Sequence, residues 1–169
     1  MAGTGILLWF ASVRSPLLTD VAASITALGS VTFILLLIYT LYHVGQRDHA
    51  VLAAAAAVVG GTAAQVGKMV VARPRPTVVE PLAHGYLQSG AFPSGHTTLA
   101  FAVATVLQQE LGGTDYYLFL LAALVGTSRL YLGLHWPGDV VAGAVLGVAA
   151  GLLVHRYRDT VLAAAGRHL

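Results

Sequence analysis

Lys68, the only lysine in the chain, precedes Arg75 by seven residues, with Arg73 between them and prolines at 74 and 76. Proline lacks an amide proton and disfavours helix at the residue before it. An apolar helix arriving here must stop near Ala72 and continue as a stiff extended segment carrying Arg73 and Arg75. Lys68, about one turn back, can reach up toward that segment. A lone lysine at a helix end is explained by snorkelling. Three cations gathered at one helix end, with no acid nearer than Glu80, call instead for an anion.

A second group is Ala91-Phe92-Pro93-Ser94-Gly95-His96-Thr97-Thr98. Proline in the first turn and a serine cap make a good helix start, which by itself leaves Gly95 and His96 unexplained. A helix N-terminus offers free amides and a positive dipole end to an anion. Gly95 lets a ligand approach the backbone closely, and His96 can give or take a proton near neutral pH. The third group runs Ser128-Arg129, then His135-Trp136-Pro137-Gly138-Asp139. His135 and Asp139 are four apart, so a helical turn opened by Pro137 and Gly138 sets them side by side. A carboxylate bonded to one imidazole nitrogen fixes the tautomer and leaves the other nitrogen as nucleophile. A structural His–Asp pair closing a loop is the plainer alternative. Arg129 adds a cation at the end of the preceding apolar run.

Lys68, Arg75 and Arg129, the helix-end amides, two histidines and one carboxylate are together the parts for phosphoryl transfer without a metal. No carboxylate cluster has the spacing for a divalent cation, so no metal and no cofactor are expected. Cysteine is absent, which excludes thiolate chemistry and disulfides.

The elements that must position these groups are apolar helices. The 169 residues are 57% hydrophobic and 9% charged, with a mean hydropathy of +0.77. Soluble domains carry about 25% charged residues, so the composition is that of a membrane protein. The net charge of +2 comes with no basic run or stripe, which leaves nucleic-acid binding without support. A bilayer core of about 30 Å needs about 20 apolar residues of helix. Five stretches come close: about 21–44, 50–72, 97–111, 116–132 and 140–154. Period-two alternation is missing, so the expected fold is all-α: a single membrane-embedded domain over 1–169, core about 20–157, with about five transmembrane helices. Residues 6–13 form a short apolar patch too brief to span. It reads as an interfacial segment with Trp9 and Phe10 at headgroup level, or equally as a short tucked-in helix. Small residues at Gly60-Gly61 and at Gly143, Gly147 and Gly151 let membrane helices pack closely.

Alternation of the spans puts the long 73–93 loop and all three chemical groups on one face. The other face receives Arg47, His49, Glu110, Asp115 and the tail His155, Arg156, Arg158 and Arg167. That tail side is the more basic once site residues are set aside, so the positive-inside rule assigns the C-terminus to the cytoplasm and the site to the extracytoplasmic face. His43, His49, His155 and His168 read as interfacial residues, and His84 as a loop residue. Tyr131 and Trp136 read as interfacial anchors, Glu80 as a solvated charge, and Arg73 as an interfacial residue rather than a second phosphate ligand.

Lys68-x6-Arg75-Pro76, Pro93-Ser94-Gly95-His96 and Ser128-Arg129-x5-His135-x3-Asp139 resemble, in order and spacing, the three signature motifs of the type 2 phosphatidic acid phosphatase superfamily. The resemblance extends over about residues 20–157. Integral members often have six spans, against five and a short segment here. The resemblance implies that His135 attacks phosphorus and forms a phosphohistidine. It implies that Asp139 orients His135, and that His96 protonates the leaving oxygen and later activates water. Lys68, Arg75, Ser94, Gly95 and Arg129 would hold the phosphate oxygens. The implied substrate is a lipid phosphate within the bilayer: phosphatidic acid, phosphatidylglycerol phosphate or a polyprenyl pyrophosphate. A phosphotransferase using the same pocket, a vanadate-holding peroxidase and a non-catalytic anion carrier are the competing readings. The sequence assigns no oligomeric state.

Overall fold

Every regular element among the described residues of the computed structural model, 2–82, 89–112 and 116–166, is a helix. His84, Asp115, Arg167 and His168, which the sequence assigns to a loop or the basic face, lie outside the described residues. The elements are α1 (Ala2–Ser12), α2 (Pro16–Ala27), α3 (Val31–His43), α4 (Arg47–Val71), α5 (Gly95–Glu110), α6 (Tyr117–Tyr131), α7 (Pro137–Arg156) and α8 (Arg158–Ala164).

Local sequence explains most of the boundaries. Ser15 caps α2 by accepting from the Leu18 amide, with Pro16 in the first turn. Ser30 caps α3 in the same way through Phe33. The Ser30 cap divides the stretch read as one span, 21–44, into two helices bent by 55°. The chain stops α4 at Ala72, which adopts a left-handed conformation at φ 45°. That conformation costs a residue with a Cβ about 1–2 kcal/mol, and here it turns the chain into the Pro74–Pro76 segment.

α4 and α7 are long and apolar enough to cross a membrane, and the bent α2–α3 pair is a third such unit. At 16 and 15 residues, α5 and α6 fall short of the roughly 20 that a full crossing needs. The segment expected at the interface, α1, is tucked against α6 and α7. Its Leu7 is fully buried and Phe10 packs on Tyr131, while Trp9 stays 61% exposed.

α5 is the central helix, packed on α7, α4 and α6. Its contact with α7 depends on the glycine stripe. A Cβ at Gly143 would stand 2.7 Å from the carbonyl oxygen of Ser94, one at Gly147 2.5 Å from that of Thr98, and one at Gly151 2.6 Å from the Thr105 Cβ. At the end away from the site, Glu110 accepts from His155 at 2.8 Å and from Arg158, tying α5, α7 and α8 together.

Gly147→Ala is therefore expected to force the helices apart and to cost about 1–3 kcal/mol, read as a lowered unfolding midpoint in detergent. Gly61→Ala, whose Cβ would meet only Leu99 at 3.6 Å, should leave the midpoint unchanged or raise it. Equal effects at the two positions would remove close α5–α7 packing as the cause.

Candidate active site

The three motif groups converge where the end of α4, the start of α5 and the α6–α7 turn meet. Lys68, Arg75, Gly95, His96, Arg129 and His135 line one cavity of about 520 Å³. Ser94 and Asp139 do not reach the cavity surface. Both are fully buried behind it, with the Ser94 amide donating to the Asp139 carbonyl at 3.0 Å and the Ser94 hydroxyl accepting from Thr97 at 2.9 Å. Asp139 and Ser94 thereby fix the first turn of α7 against the first turn of α5.

Backbone carbonyls set the directions of the cations. Lys68 Nζ donates to the Gly90 carbonyl at 2.6 Å. Arg75 donates through Nη1 to the Leu134 carbonyl at 2.7 Å and through Nε and Nη2 to Ser89. Arg129, 2% exposed, donates through Nη1 to the Thr26 hydroxyl of α2 at 2.8 Å. Carbonyls and hydroxyls satisfy donors without cancelling charge, so the cavity wall stays electropositive and suited to an anion.

His135 is 2% exposed, and its Nδ1 lies 2.7 Å from the Ala91 carbonyl. A carbonyl can only accept, so Nδ1 carries the proton and Nε2 presents its lone pair. Asp139 stands beside the ring, as the four-residue spacing predicts, yet its Oδ2 is 3.7 Å from Nδ1, beyond hydrogen-bond length. That oxygen accepts instead from the Trp136 amide at 2.8 Å, and Oδ1 accepts from Arg73 at 3.0 Å. Burial depresses the His135 pKa from 6.5 to about 4; Asp139 opposes the shift, while Arg129, Arg75 and Lys68 add to it.

Several participants lack a signal in the linear sequence. Arg73 is half-buried against Asp139 rather than spread at the interface, and the Ala91 carbonyl is a main-chain group. Tyr131 is 7% exposed and is no interfacial anchor: its hydroxyl accepts from the Ser15 amide at 3.1 Å. Arg14 donates to the carbonyls of Tyr131 and Glu80, so the junction of α1 and α2 braces the turn that carries His135. Glu80 itself is exposed, as its reading as a solvated charge requires. Among the described residues no three His, Cys, Asp or Glu side chains come together in a way that could hold a metal ion.

Residues 48–162 match the family described as the PAP2 superfamily. The chain belongs to this superfamily. It is 31% identical over 170 residues to phosphatidylglycerophosphatase B of Bacillus subtilis, covering 88% of this chain and 79% of that protein. It is 29% identical over 136 residues to the undecaprenyl-diphosphatase BcrC of the same organism, covering 79% and 70%. The crystal structure of a transmembrane PAP2-type phosphatidylglycerolphosphate phosphatase from Bacillus subtilis superimposes with a TM-score of 0.81 at 29% identity, covering 94% of this chain and 85% of that one. Other relatives are matched locally, the chain spanning 32% of one and 17% of another. With its apolar helices and transmembrane relatives, this PAP2 chain is an integral-membrane protein.

A ¹⁵N-resolved titration of the His135 ring is expected to find a midpoint near 4, with the proton on Nδ1 throughout the neutral range. A midpoint at or above 6.5, or a proton on Nε2, would remove the Ala91 carbonyl as its anchor.

Proposed function

We propose that this PAP2 protein hydrolyses a phosphomonoester or pyrophosphate on a membrane lipid through a phosphohistidine. The observation that carries the proposal is the shared cavity: six of the motif residues line its wall, and the same cavity continues as an apolar groove between α3 and α4.

The phosphate enters among Lys68, Arg75, Arg129 and the Gly95 amide at the positive end of α5, with buried Ser94 supporting that turn. Nε2 of His135 attacks phosphorus in line with the lipid oxygen. The N–P bond forms, the P–O bond breaks, and His96 gives its proton to the departing oxygen, the lipid alkoxide of a monoester or the lipid phosphate of a pyrophosphate. His96 then takes a proton from water, whose oxygen attacks the phosphohistidine, releasing inorganic phosphate and restoring His135. Asp139 holds the His135 turn in place. The cations are oriented before reaction, so the charge that develops in the transition state meets fixed donors. No step calls on a metal.

The groove gives the lipid a path. Val31, Ile34, Leu35 and Ile38 of α3 face Ala54, Ala57, Gly61 and Ala64 of α4, with Gln65 and Lys68 at the upper end. From Ala54 to Lys68 the helix rises by roughly 21 Å at 1.5 Å per residue, a length that fits one extended hydrocarbon chain within the bilayer. Phosphatidic acid, phosphatidylglycerol phosphate and a polyprenyl pyrophosphate all meet this description. The relatives named as acting on phosphatidylglycerophosphate and undecaprenyl diphosphate support the same class. In the membrane we place the site on the extracytoplasmic face and the C-terminus in the cytoplasm, with α2–α3, α4 and α7 as full-length crossings and the shorter α5 and α6, extended by their flanking turns, completing the five.

Phosphate release in detergent with chelator present tests the reaction. Wild type should release phosphate from at least one of these lipids and His135→Ala should not; a variant within tenfold of wild type would overturn the mechanism. Labelled substrate should leave an acid-labile, base-stable phosphoprotein in wild type alone. Ala57→Phe, which narrows the groove, should raise KM for a long-chain lipid phosphate about tenfold, equivalent to ~1.4 kcal/mol. Turnover of a short water-soluble phosphate ester should not change. An equal loss on both substrates would remove the groove as the chain site.

A further inference from the structure

Arg73 falls in the spacer between Lys68 and Arg75, and no role in the proposed chemistry above uses it. Its side chain and its main chain reach two different groups, and those two groups are the neighbours of His135 Nδ1. Nη1 of Arg73 donates to Oδ1 of Asp139 at 3.0 Å. The Arg73 carbonyl accepts from the Ala91 amide at 2.8 Å. The Ala91 carbonyl in turn accepts from His135 Nδ1 at 2.7 Å, while Oδ2 of Asp139 waits 3.7 Å away. One residue therefore holds both candidate acceptors for the same proton.

Both carboxylate oxygens are engaged. Oδ1 is held by Arg73 and Oδ2 by the Trp136 amide at 2.8 Å, in a group with no solvent exposure. The guanidinium also lies over the Trp136 ring, 5.6 Å from its centroid, and the Trp136 indole donates to the Pro74 carbonyl at 3.1 Å. The stack and the indole bond fix the direction of Arg73 on the side away from the cavity.

We propose that Arg73 is a positioning residue that acts through Asp139: by holding Oδ1 it keeps the carboxylate on the Trp136 amide and leaves the Nδ1 proton of His135 on the Ala91 carbonyl. The proposal rests on the reading of His135 as nucleophile. Removing the guanidinium frees Asp139 to swing onto Nδ1, and the imidazolium form gains a full carboxylate partner. The other charged groups around His135 stay where they are. They are Lys68 from α4, Arg75 from the extended segment, His96 from α5 and Arg129 from α6, with Arg14 and Glu80 on the outer side of the turn. The neutral, attacking form is then lost at a higher pH, so the acid limb of kcat/KM moves up.

The experiment compares Arg73→Gln, Arg73→Lys, Asp139→Asn and the Arg73→Gln/Asp139→Asn double variant in detergent. Arg73→Gln should lower kcat about 10–100-fold, the cost of a misplaced reacting group, with KM within about threefold of wild type. Its acid limb and the NMR midpoint of His135 should both move to higher pH. Arg73→Lys, which keeps a charge near Oδ1, should recover part of kcat and return the midpoint toward wild type. The double variant should lose no more than Asp139→Asn alone, the mark of two residues acting as one unit. The Kd for inorganic phosphate, measured by calorimetry, should be unchanged by Arg73→Gln.

A rise in KM or in that Kd larger than the fall in kcat would make Arg73 a phosphate ligand and overturn the proposal. Losses that multiply in the double variant, or an Arg73→Gln variant that behaves as wild type, would also overturn it. The outcomes separate from those of the function itself. A wild type that releases no phosphate counts against the nucleophile reading, whereas the His135 midpoint in Arg73→Gln tests the clamp without turnover. If Arg73→Gln does not fold, Arg73→Lys carries the same comparison.

Discussion

Backbone carbonyls, rather than carboxylates, hold most of the cations at the mouth of this bundle. Lys68 donates to the carbonyl of Gly90, Arg75 to those of Leu134 and Ser89, and Arg14 to those of Tyr131 and Glu80. A buried donor left without an acceptor costs about 1–3 kcal/mol, and more when charged. Acceptors therefore had to be supplied at that level, and helix interiors have none to spare. Residues 72–82 and 89–94, the last residue of α6 and the 132–136 turn supply them. These residues outside the helix interiors are thus a structural requirement of the charges they surround. Because a carbonyl satisfies a cation without neutralising it, the same arrangement leaves the cavity ready for an anion.

Arg73 is the exception. It is paired with Asp139, which removes one cation and one anion from the balance together. The cations that face the cavity are then Lys68, Arg75 and Arg129, and among the described residues that line it there is no carboxylate. The pairing also changes the usual picture of a histidine polarised by an adjacent acid. Here the carboxylate caps the turn and a main-chain carbonyl fixes the tautomer.

The helices beneath exist to bring these segments together. The α5–α7 contact is close enough for carbonyl oxygens of α5 to sit where Cβ atoms of α7 would be. That approach carries Gly95 and His96 at the start of one helix alongside Asp139 in the first turn of the other. The N-terminal helices α1 and α2 serve the same end from outside, through Arg14, Ser15 and Thr26. A membrane offers no hydrophobic drive between helices, so close packing and such polar ties do the work.

Much of this was legible in the linear sequence, because it depends on residue type and short-range spacing. The apolar runs announce helices, the Pro74–Pro76 pair ends α4, and the four-residue interval brings His135 to Asp139. The glycine stripe on α7 marks a tight interface, and three spaced motifs point to the family. The sequence also concealed a break: Ser30 caps a new helix inside what reads as one span, because an apolar run carries no mark of bending when its caps are single residues. What only the tertiary structure decided were the partners of the polar groups. Asp139 goes to Arg73, His135 to the Ala91 carbonyl, and Tyr131 inward to Ser15. Hydrogen bonding is directional and settled within a few tenths of an ångström. It involves main-chain atoms that every residue possesses alike, so its choices appear only when distant segments are folded against one another.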